Sequence, residues 1–239
     1  MTEIEKLQQW IDISENIVFF GGAGVSTESG LPDFRSENGL YRQKFRYSPE
    51  YMLSRSFFDS HTEEFFEFYR EQMIPHGIKP NTAHYKLAEM ERAGKLNAVI
   101  TQNIDGLHQA AGSQTVYELH GSVHRNRCMR CGKFYPLSAV ENCSGVPRCT
   151  CGGIIKPEVV LYEEPLPADV WNNAVAALEK ADMLIIAGTS LSVYPAAYLA
   201  RNFRGARTVL IDLSATLPLS DNLLVIRGKV GQTLSKIRV

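Results

Sequence analysis

Gln102, Asn103 and Asp105 crowd into one short stretch, Thr101-Gln102-Asn103-Ile104-Asp105-Gly106-Leu107-His108, directly after the apolar run Asn97-Ala98-Val99-Ile100. That run reads as a buried strand, and these polar residues contribute nothing to its core. Ligands of open α/β sheets sit beyond the carboxyl ends of the strands, so three polar side chains there mark a candidate site. An Asx-rich turn would explain an isolated Asn-x-Asp-Gly equally well. Two further stretches point to the same place. Ile17-Val18-Phe19-Phe20-Gly21-Gly22-Ala23-Gly24-Val25-Ser26-Thr27 is a strand running into glycines that permit a tight turn and close approach of a phosphate. Ser26 and Thr27 are placed to open a helix, whose free N–H groups favour an anion. The dinucleotide fingerprint is partial, because Thr27 stands where a third glycine would be and no acidic residue follows on a clear second strand about 20 residues on. In Gly30-Leu31-Pro32-Asp33-Phe34-Arg35, an aromatic and an Arg sit in a Ser/Gly/Asn/Pro-rich loop that could cover a ligand and pair with its charge. A surface loop with Phe34 tucked inward fits that hexapeptide as well.

His120 ends the run Val116-Tyr117-Glu118-Leu119 and precedes Gly121. Imidazole titrates near neutrality, which suits a general base. A lone His is more often structural, and His84, His108 and His124 are read that way here. All five cysteines fall between Cys128 and Cys151, a clustering that suits metal rather than scattered disulfides. Cys128-Met129-Arg130-Cys131-Gly132 is a C-x2-C half-site. The second half, Cys149-Thr150-Cys151-Gly152-Gly153, has one residue between its thiols, and Cys143 is an alternative ligand. Cys128, Cys131, Cys149 and Cys151 predict one zinc ion with four thiolates and no open position, hence a structural ion.

The elements that must carry these residues follow from periodicity. Strand-length apolar runs recur at Ile17–Phe20, Ala98–Ile100, Met183–Ala187, Val209–Ile211 and Leu223–Ile226. Amphipathic helix patterns lie at Ile4–Ser14, Glu63–Met73, His84–Ala93, Ala168–Lys180 and Ala196–Phe203. Strands alternating with helices imply a parallel sheet covered on both faces. Residues 123–156, rich in Cys, Gly, Arg and Pro, interrupt that rhythm as a small inserted module. A second interruption, residues 36–80, carries an aromatic stripe (Phe57, Phe58, Phe65, Phe66, Phe68, Tyr69) whose near-helical spacing reads as core.

A chain of 239 residues with 44% hydrophobic and 21% charged residues suits a globular protein with one substantial core. A net charge of −1 and the absence of long basic runs argue against a dedicated nucleic-acid binder. Arg125, Arg127, Arg130, Lys133 and Arg148 beside the cysteines are the counter-signal, without aromatics to stack bases. No run is long enough to span a membrane and none forms a signal peptide, so a cytoplasmic location is expected.

Taken together the chain resembles the sirtuins, bacterial-type NAD-dependent protein deacylases of the deacetylase branch. The resemblance is carried by Gly22-Ala23-Gly24-x-Ser26, Gly30 to Arg35, Thr101 to His108, Ala111-Gly112, His120-Gly121, the four cysteines, Lys156-Pro157-x-Val159-Val160 and Gly188-Thr189-Ser190-Leu191, in family order. It implies a Rossmann-like parallel sheet domain with a smaller inserted lobe made of a zinc ribbon and a helical module. The large NAD-binding lobe would hold residues 1–35, 81–122 and 157–239; the small lobe would hold 36–80 and 123–156, with the cleft between. It implies that NAD is a co-substrate. Transfer of the acetyl group of acetyl-lysine to ADP-ribose would release nicotinamide, free lysine and O-acetyl-ADP-ribose.

The resemblance also implies roles. Asp105 and the Ile104 backbone would hold the nicotinamide carboxamide, Asn103 the ribose and a water, and His120 would take a proton from a ribose hydroxyl. Gly22, Ala23, Gly24, Ser26, Thr27, Phe34, Arg35, Gln102, Gly188, Thr189, Ser190, Asp212, Leu213 and Val230 would complete the NAD site. Asp212 stands where the family usually has Asn and can accept from adenosine ribose hydroxyls. Val159, Val160, Leu161 and Tyr162 would pair with an acetylated lysine peptide as an added strand. Glu163 stands where many relatives have Gly. Succinyl-preferring sirtuins share a Tyr-x-x-Arg pair. Here Tyr69 is followed by Gln72 at the Arg position, and Arg70 is rotated by about 200° around the helix, which points to neutral acyl groups. Two other classes compete: an NAD-dependent oxidoreductase, for which no Tyr–Lys pair is placed, and a zinc-ribbon scaffold that holds NAD without turnover.

Overall fold

The computed structural model describes residues 1–34, 39–213 and 222–239. Six short strands form a parallel sheet: β1 (Ile17–Gly21), β2 (Leu96–Thr101), β3 (Val116–Glu118), β7 (Met183–Ala187), β8 (Arg207–Ile211) and β9 (Leu223–Ile226). Their order is β3-β2-β1-β7-β8-β9, so the chain leaves β1 toward one edge and returns past it to build the other. That reversal makes the β1–β7 boundary the switch point at which such sheets bind ligands. Strand residues alternate between faces. Ile17 and Phe19 of β1 enter one core and Val18 and Phe20 the other, and all are fully buried. The first core is closed by α1 (Glu3–Ile13), α5 (Thr82–Arg92) and α10 (Val230–Leu234); the second by α8 (Ala168–Lys180) and α9 (Ala196–Arg201).

A second, antiparallel sheet has the order β5-β4-β6, from β4 (Gly121–Cys128), β5 (Phe134–Tyr135) and β6 (Ile155–Val159). It shares a third core with the helices α2 (Pro49–Met52), α3 (Arg55–Ser60) and α4 (Thr62–Gln72). The aromatic stripe is this core, as its spacing predicts. Phe58 meets Phe65 edge-on at 4.9 Å and Phe65 stacks on Tyr69 at 5.6 Å, geometries that favour the ring quadrupoles. Two short helices remain, α6 (Leu107–Ala110) and α7 (Ser138–Glu141).

Helix α5 begins at Thr82, two residues before the periodic pattern, because Asn81 caps it: its side chain accepts from Ala83 N–H at 2.8 Å. His84, in its first turn, takes the Asn81 N–H at 3.2 Å and meets the His108 ring edge-on at 4.8 Å. His84 Nε2 and both His108 nitrogens are buried with no partner among the described residues. Burial holds His84 down to about 4 and His108 to about 3. Both are neutral above 6.5, folded or unfolded. Below that the unfolded chain takes up protons first, so stability is complete above pH 6.5 and is lost as pH falls toward 4. For His84 alone the loss approaches about 3 kcal/mol. Thermal unfolding followed between pH 7.5 and 5 should show this fall, and His108→Leu should make it shallower; equal slopes in both proteins would contradict the assignment.

Candidate active site

Parallel register sets Gly21 beside Thr101 on one side and Ala187 on the other, so the loops after β1, β2 and β7 emerge together. Backbone bonds continue past the strands: Gln102 N–H to Gly21 O at 2.9 Å, Gly22 N–H to Ala187 O at 3.2 Å and Gly24 N–H to Gly188 O at 2.9 Å. No side chain fits between the last pair. A Cβ on Gly24 would lie 2.6 Å from Gly188 Cα, and Gly188 itself has φ +58°.

The expected helix opening at Ser26 and Thr27 is not there. The chain instead makes two 3₁₀ turns, Ala23–Val25 and Thr27–Ser29, and ends them at Gly30 with φ +97°. Asn81 Nδ2 holds this loop by donating to Val25 O at 2.8 Å and Ser29 Oγ at 3.0 Å, and Thr27 Oγ1 bonds back to Gly24 O at 2.9 Å. An anion here would meet loop N–H groups, such as those of Ala23 and Thr27, which have no partner among the described residues, rather than a helix end.

Ser26 is the hub of the polar cluster. Its hydroxyl donates to Asp105 Oδ2 at 2.7 Å and accepts from Asn103 Nδ2 at 3.0 Å. Asp105 Oδ1 takes the Leu107 N–H at 2.9 Å, an Asx turn across Gly106. All three side chains are buried. Burial raises the Asp105 pKa, and the Leu107 and Ser26 bonds pull against it. His120 Nδ1 lies 2.9 Å from the Gln102 carbonyl. A carbonyl can only accept, so Nδ1 carries the proton and Nε2 keeps its lone pair. Burial lowers the His120 pKa, which keeps the ring neutral at pH 7. Thr189 Oγ1 donates to Gln102 Oε1 at 2.8 Å, leaving Gln102 Nε2 buried without a partner among the described residues. An orphaned amide donor beside a glycine turn suits a ligand rich in acceptor oxygens, as a dinucleotide is.

The other sequence-predicted residues are spread around this centre. Gly22, Ala23, Ile104 and Thr189 lie within these loops, and Ile104 O takes the Val123 N–H at 3.0 Å. Phe34 is half-buried, edge-on to Tyr41 at 5.5 Å. Arg35 lies outside the described residues. Ser190 is exposed and bonded to Ser192 Oγ at 2.7 Å. Asp212 and Leu213 follow β8, with Leu213 70% exposed. The Val230 side chain is buried in the core, so only its backbone can face a ligand. Of the peptide-binding candidates, Val159 ends β6. Tyr162 instead bridges to Ser54, its N–H donating to Leu53 O at 2.9 Å.

Three residues outside the predicted set also shape the site. Asn81 ties the glycine loop to α5; the Asn-x-x-His capping pattern was its signal. Glu28 ties the same loop to the start of α10 through Gly231 N–H at 2.6 Å. His124 Nε2 donates to Asp105 O at 3.2 Å. No local signal marks these last two.

At the far end of β4, the sulfurs of Cys128, Cys131, Cys149 and Cys151 all lie within 4.8 Å of one another. The Cys128–Cys151 and Cys131–Cys149 pairs are 3.4 Å and 3.6 Å apart. Tetrahedral zinc with Zn–S of about 2.3 Å sets sulfurs roughly 3.8 Å apart, so this all-thiolate set fits the ion. Cys143 stands outside it, its thiol on Ser144 O. Tyr135 Oη donates to Cys149 Sγ at 3.0 Å, and Arg130 and Arg148 donate to the carbonyls of Cys151 and Gly152. Arg125 and Arg127 are taken up by Glu118 and Glu158. The arginines near the cysteines thus brace the module rather than form a free basic face.

A six-strand parallel sheet with a buried polar cluster at its switch point and a four-thiolate module inserted after His120 defines the class. The Sir2 family model matches residues 22–195, and the chain belongs to that family. It is 56% identical over 241 residues to the NAD-dependent protein deacetylase of Clostridium acetobutylicum, covering 99% of this chain and 98% of the relative. The protein of the same name from Clostridium tetani is 57% identical, with 98% and 96% covered. Among solved structures, a Sir2 variant with deacetylated p53 peptide and 3′-O-acetyl ADP-ribose superposes with a TM-score of 0.88 at 37% identity. It covers 98% of this chain and 97% of that one.

Freshly purified protein should contain one zinc per chain, and chelation should unfold or aggregate it, because so small a module has little core of its own. Elemental analysis of Cys143→Ser should give the same zinc content. Active protein without zinc, or metal loss in that variant, would reject the ligand set.

Proposed function

We infer that this chain is an NAD-dependent protein lysine deacetylase, acting on acetylated lysine proteins or peptides. NAD supplies the ADP-ribose acceptor for the acetyl group, with nicotinamide as the leaving group. The observation that carries the reading is His120, fixed through Nδ1 on the carbonyl of Gln102, the neighbour of Asn103 in the buried Ser26–Asn103–Asp105 cluster, at the end of three adjoining strands.

In this reading Asp105 and the Ile104 backbone hold the carboxamide, and Ser26 keeps the Asp105 carboxylate in place. Asn103 positions the ribose and a water. His120 Nε2 takes a proton from a ribose hydroxyl, and the Gln102 carbonyl stabilises the imidazolium through Nδ1. Gly22, Ala23, Gly24, Thr27, Gln102, Gly188, Thr189 and Ser190 line the diphosphate and ribose region. Asp212, Leu213 and the Val230 backbone serve the adenosine end. Phe34 and Arg35 cover the site and help exclude water. Zinc supplies only structure, because four thiolates leave it no open position. The large lobe comprises residues 1–35, 81–122 and 157–239 and the small lobe 36–80 and 123–156, with the substrates between them. Among the described residues no helix is long and apolar enough to cross a membrane, in keeping with work in the cytoplasm.

Incubation with NAD and an acetyl-lysine peptide tests the reading: nicotinamide and free lysine should form together. NADH formation instead would overturn it in favour of an oxidoreductase. His120→Ala should lower turnover by about 100-fold or more while NAD still binds; retention of a tenth of the activity would exclude His120 as the base. Since burial lowers the His120 pKa, the acid limb of kcat/KM should fall below the ordinary imidazole value near 6.5. Activity rises with pH through that limb, because the neutral ring is the base.

Acyl selectivity follows from α4. Arg70 donates to Gly145 O at 2.9 Å and lies over the Phe66 ring, while Tyr69 is fully buried with no partner for its hydroxyl among the described residues. With Arg70 engaged and Gln72 at the Arg position, a negatively charged acyl group lacks its cation, and an unpaired buried charge is costly. Matched peptides should give a higher kcat/KM for acetyl than for succinyl; succinyl equal or better would refute this.

A further inference from the structure

Glu163 follows the proposed peptide edge in a backbone conformation that suits glycine, with φ +75°. A non-glycine residue is held there only when its surroundings over-determine it. Here the carboxylate does so: Oε2 accepts from Ser56 N–H at 2.9 Å and from Ser56 Oγ at 2.6 Å, at the start of α3. These two bonds hold the Glu163 carboxyl below the usual carboxylate range, so it is charged at neutral pH. The residue is exposed and Oε1 accepts no hydrogen bond among the described residues.

The neighbouring charges leave Glu163 without an ionic partner. Arg55 is engaged by Asp59 at 2.8 Å and Glu164 at 3.4 Å, and Lys156 by Glu164 at 3.0 Å. Glu163 forms no ion pair among the described residues. The adjoining backbone is also largely used. Val160 N–H donates to His120 O and Leu161 N–H to Glu164, while Tyr162 bonds Leu53 and Arg55 through its N–H and carbonyl. The Val160 carbonyl and the N–H and carbonyl of Glu163 have no partner among the described residues and remain for an added chain. Glu163 carries two of those three groups and also the carboxylate that forms no ion pair.

We propose that Glu163 is a specificity-determining residue that favours acetyl-lysine peptides with a Lys or Arg flanking the modified lysine. This rests on the reading of residues 159–162 as the peptide edge. An exposed pair of this kind is worth a modest factor, about two- to five-fold in kcat/KM over the same peptide with a flanking Glu, and it should shrink with added salt.

The test compares the two peptides on wild type, Glu163→Gln and Glu163→Gly, by turnover and by fluorescence anisotropy of labelled peptide. Glutamine keeps an acceptor for Ser56 and removes the charge; glycine suits the backbone, so misfolding does not confound it. The wild-type preference should collapse toward one in both variants. A preference of equal size in Glu163→Gln, or no preference in wild type, overturns the proposal. Turnover without discrimination sinks this inference and leaves the deacetylase reading intact; charge-dependent binding without turnover does the reverse.

Discussion

Gly24 and Gly188 meet through bare backbone, N–H to carbonyl at 2.9 Å, across the ends of two neighbouring parallel strands. Parallel strands lie about 4.8 Å apart, and their loops stay that close only where no side chain intervenes. This contact fixes how far the loop after β1 stands from the loops after β2 and β7. It brings the Ser26 hydroxyl to both Asn103 and Asp105, and it sets Gly22 so close to Thr189 that a Cβ there would lie 2.8 Å from the Thr189 Cβ. A methyl at Gly24 would strike Gly188 backbone, which cannot swing aside as a side-chain tip can. The polar chemistry therefore depends on an apolar requirement, that β1 and β7 keep their register to the last residue.

The second constraint runs along β4. This strand begins one residue after His120 and ends on the metal ligand Cys128. At its start Gly121 has φ +75° and a Cβ there would collide with the Glu158 carbonyl. The strand thus lies tight against the end of β6. One piece of extended chain connects the imidazole to the thiolate cluster, and its middle residue His124 touches the Asp105 backbone. An ion held by the four thiolates, with no open position, would fix one end of the strand whose other end follows His120. The aromatic core under α3 and α4 supplies the apolar support that the cysteine module lacks.

Much of this was legible because the signals were local. A continuous apolar run followed by Gly, or by Gln-Asn-x-Asp, shows both a buried strand and what its end presents. The cysteine spacing was legible for the same reason, even with one residue missing from the second knuckle. The helix expected at Ser26 failed on a signal that was present: Gly30 and Pro32 leave no room for a second helical turn. Tyr162 lies beyond the end of β6 for a reason no local pattern holds. Its backbone is claimed by Leu53 and Arg55, more than a hundred residues earlier in the chain. The Ser26–Asp105 bond spans 79 residues. Sequence reading could gather both residues into one candidate site, but it could not show that they are bonded.

The charge at the centre of the site is arranged in an unusual way. Asp105 is buried and its pKa is raised, yet the bonds that hold it come from a hydroxyl and a backbone N–H, with no Lys or Arg among the described residues bonded to it. Neutral donors stabilise a carboxylate less than a cation would. Asp105 therefore remains in want of positive charge, and an arriving cationic group is favoured over a neutral one at the same spot. His124 can offer only its N–H to the Asp105 carbonyl, on the backbone side. In the proposed reaction, a site so built would favour a positively charged ring over the neutral ring left after bond cleavage. The carboxylate's incomplete satisfaction in the free protein is thus the feature that would separate substrate from leaving group.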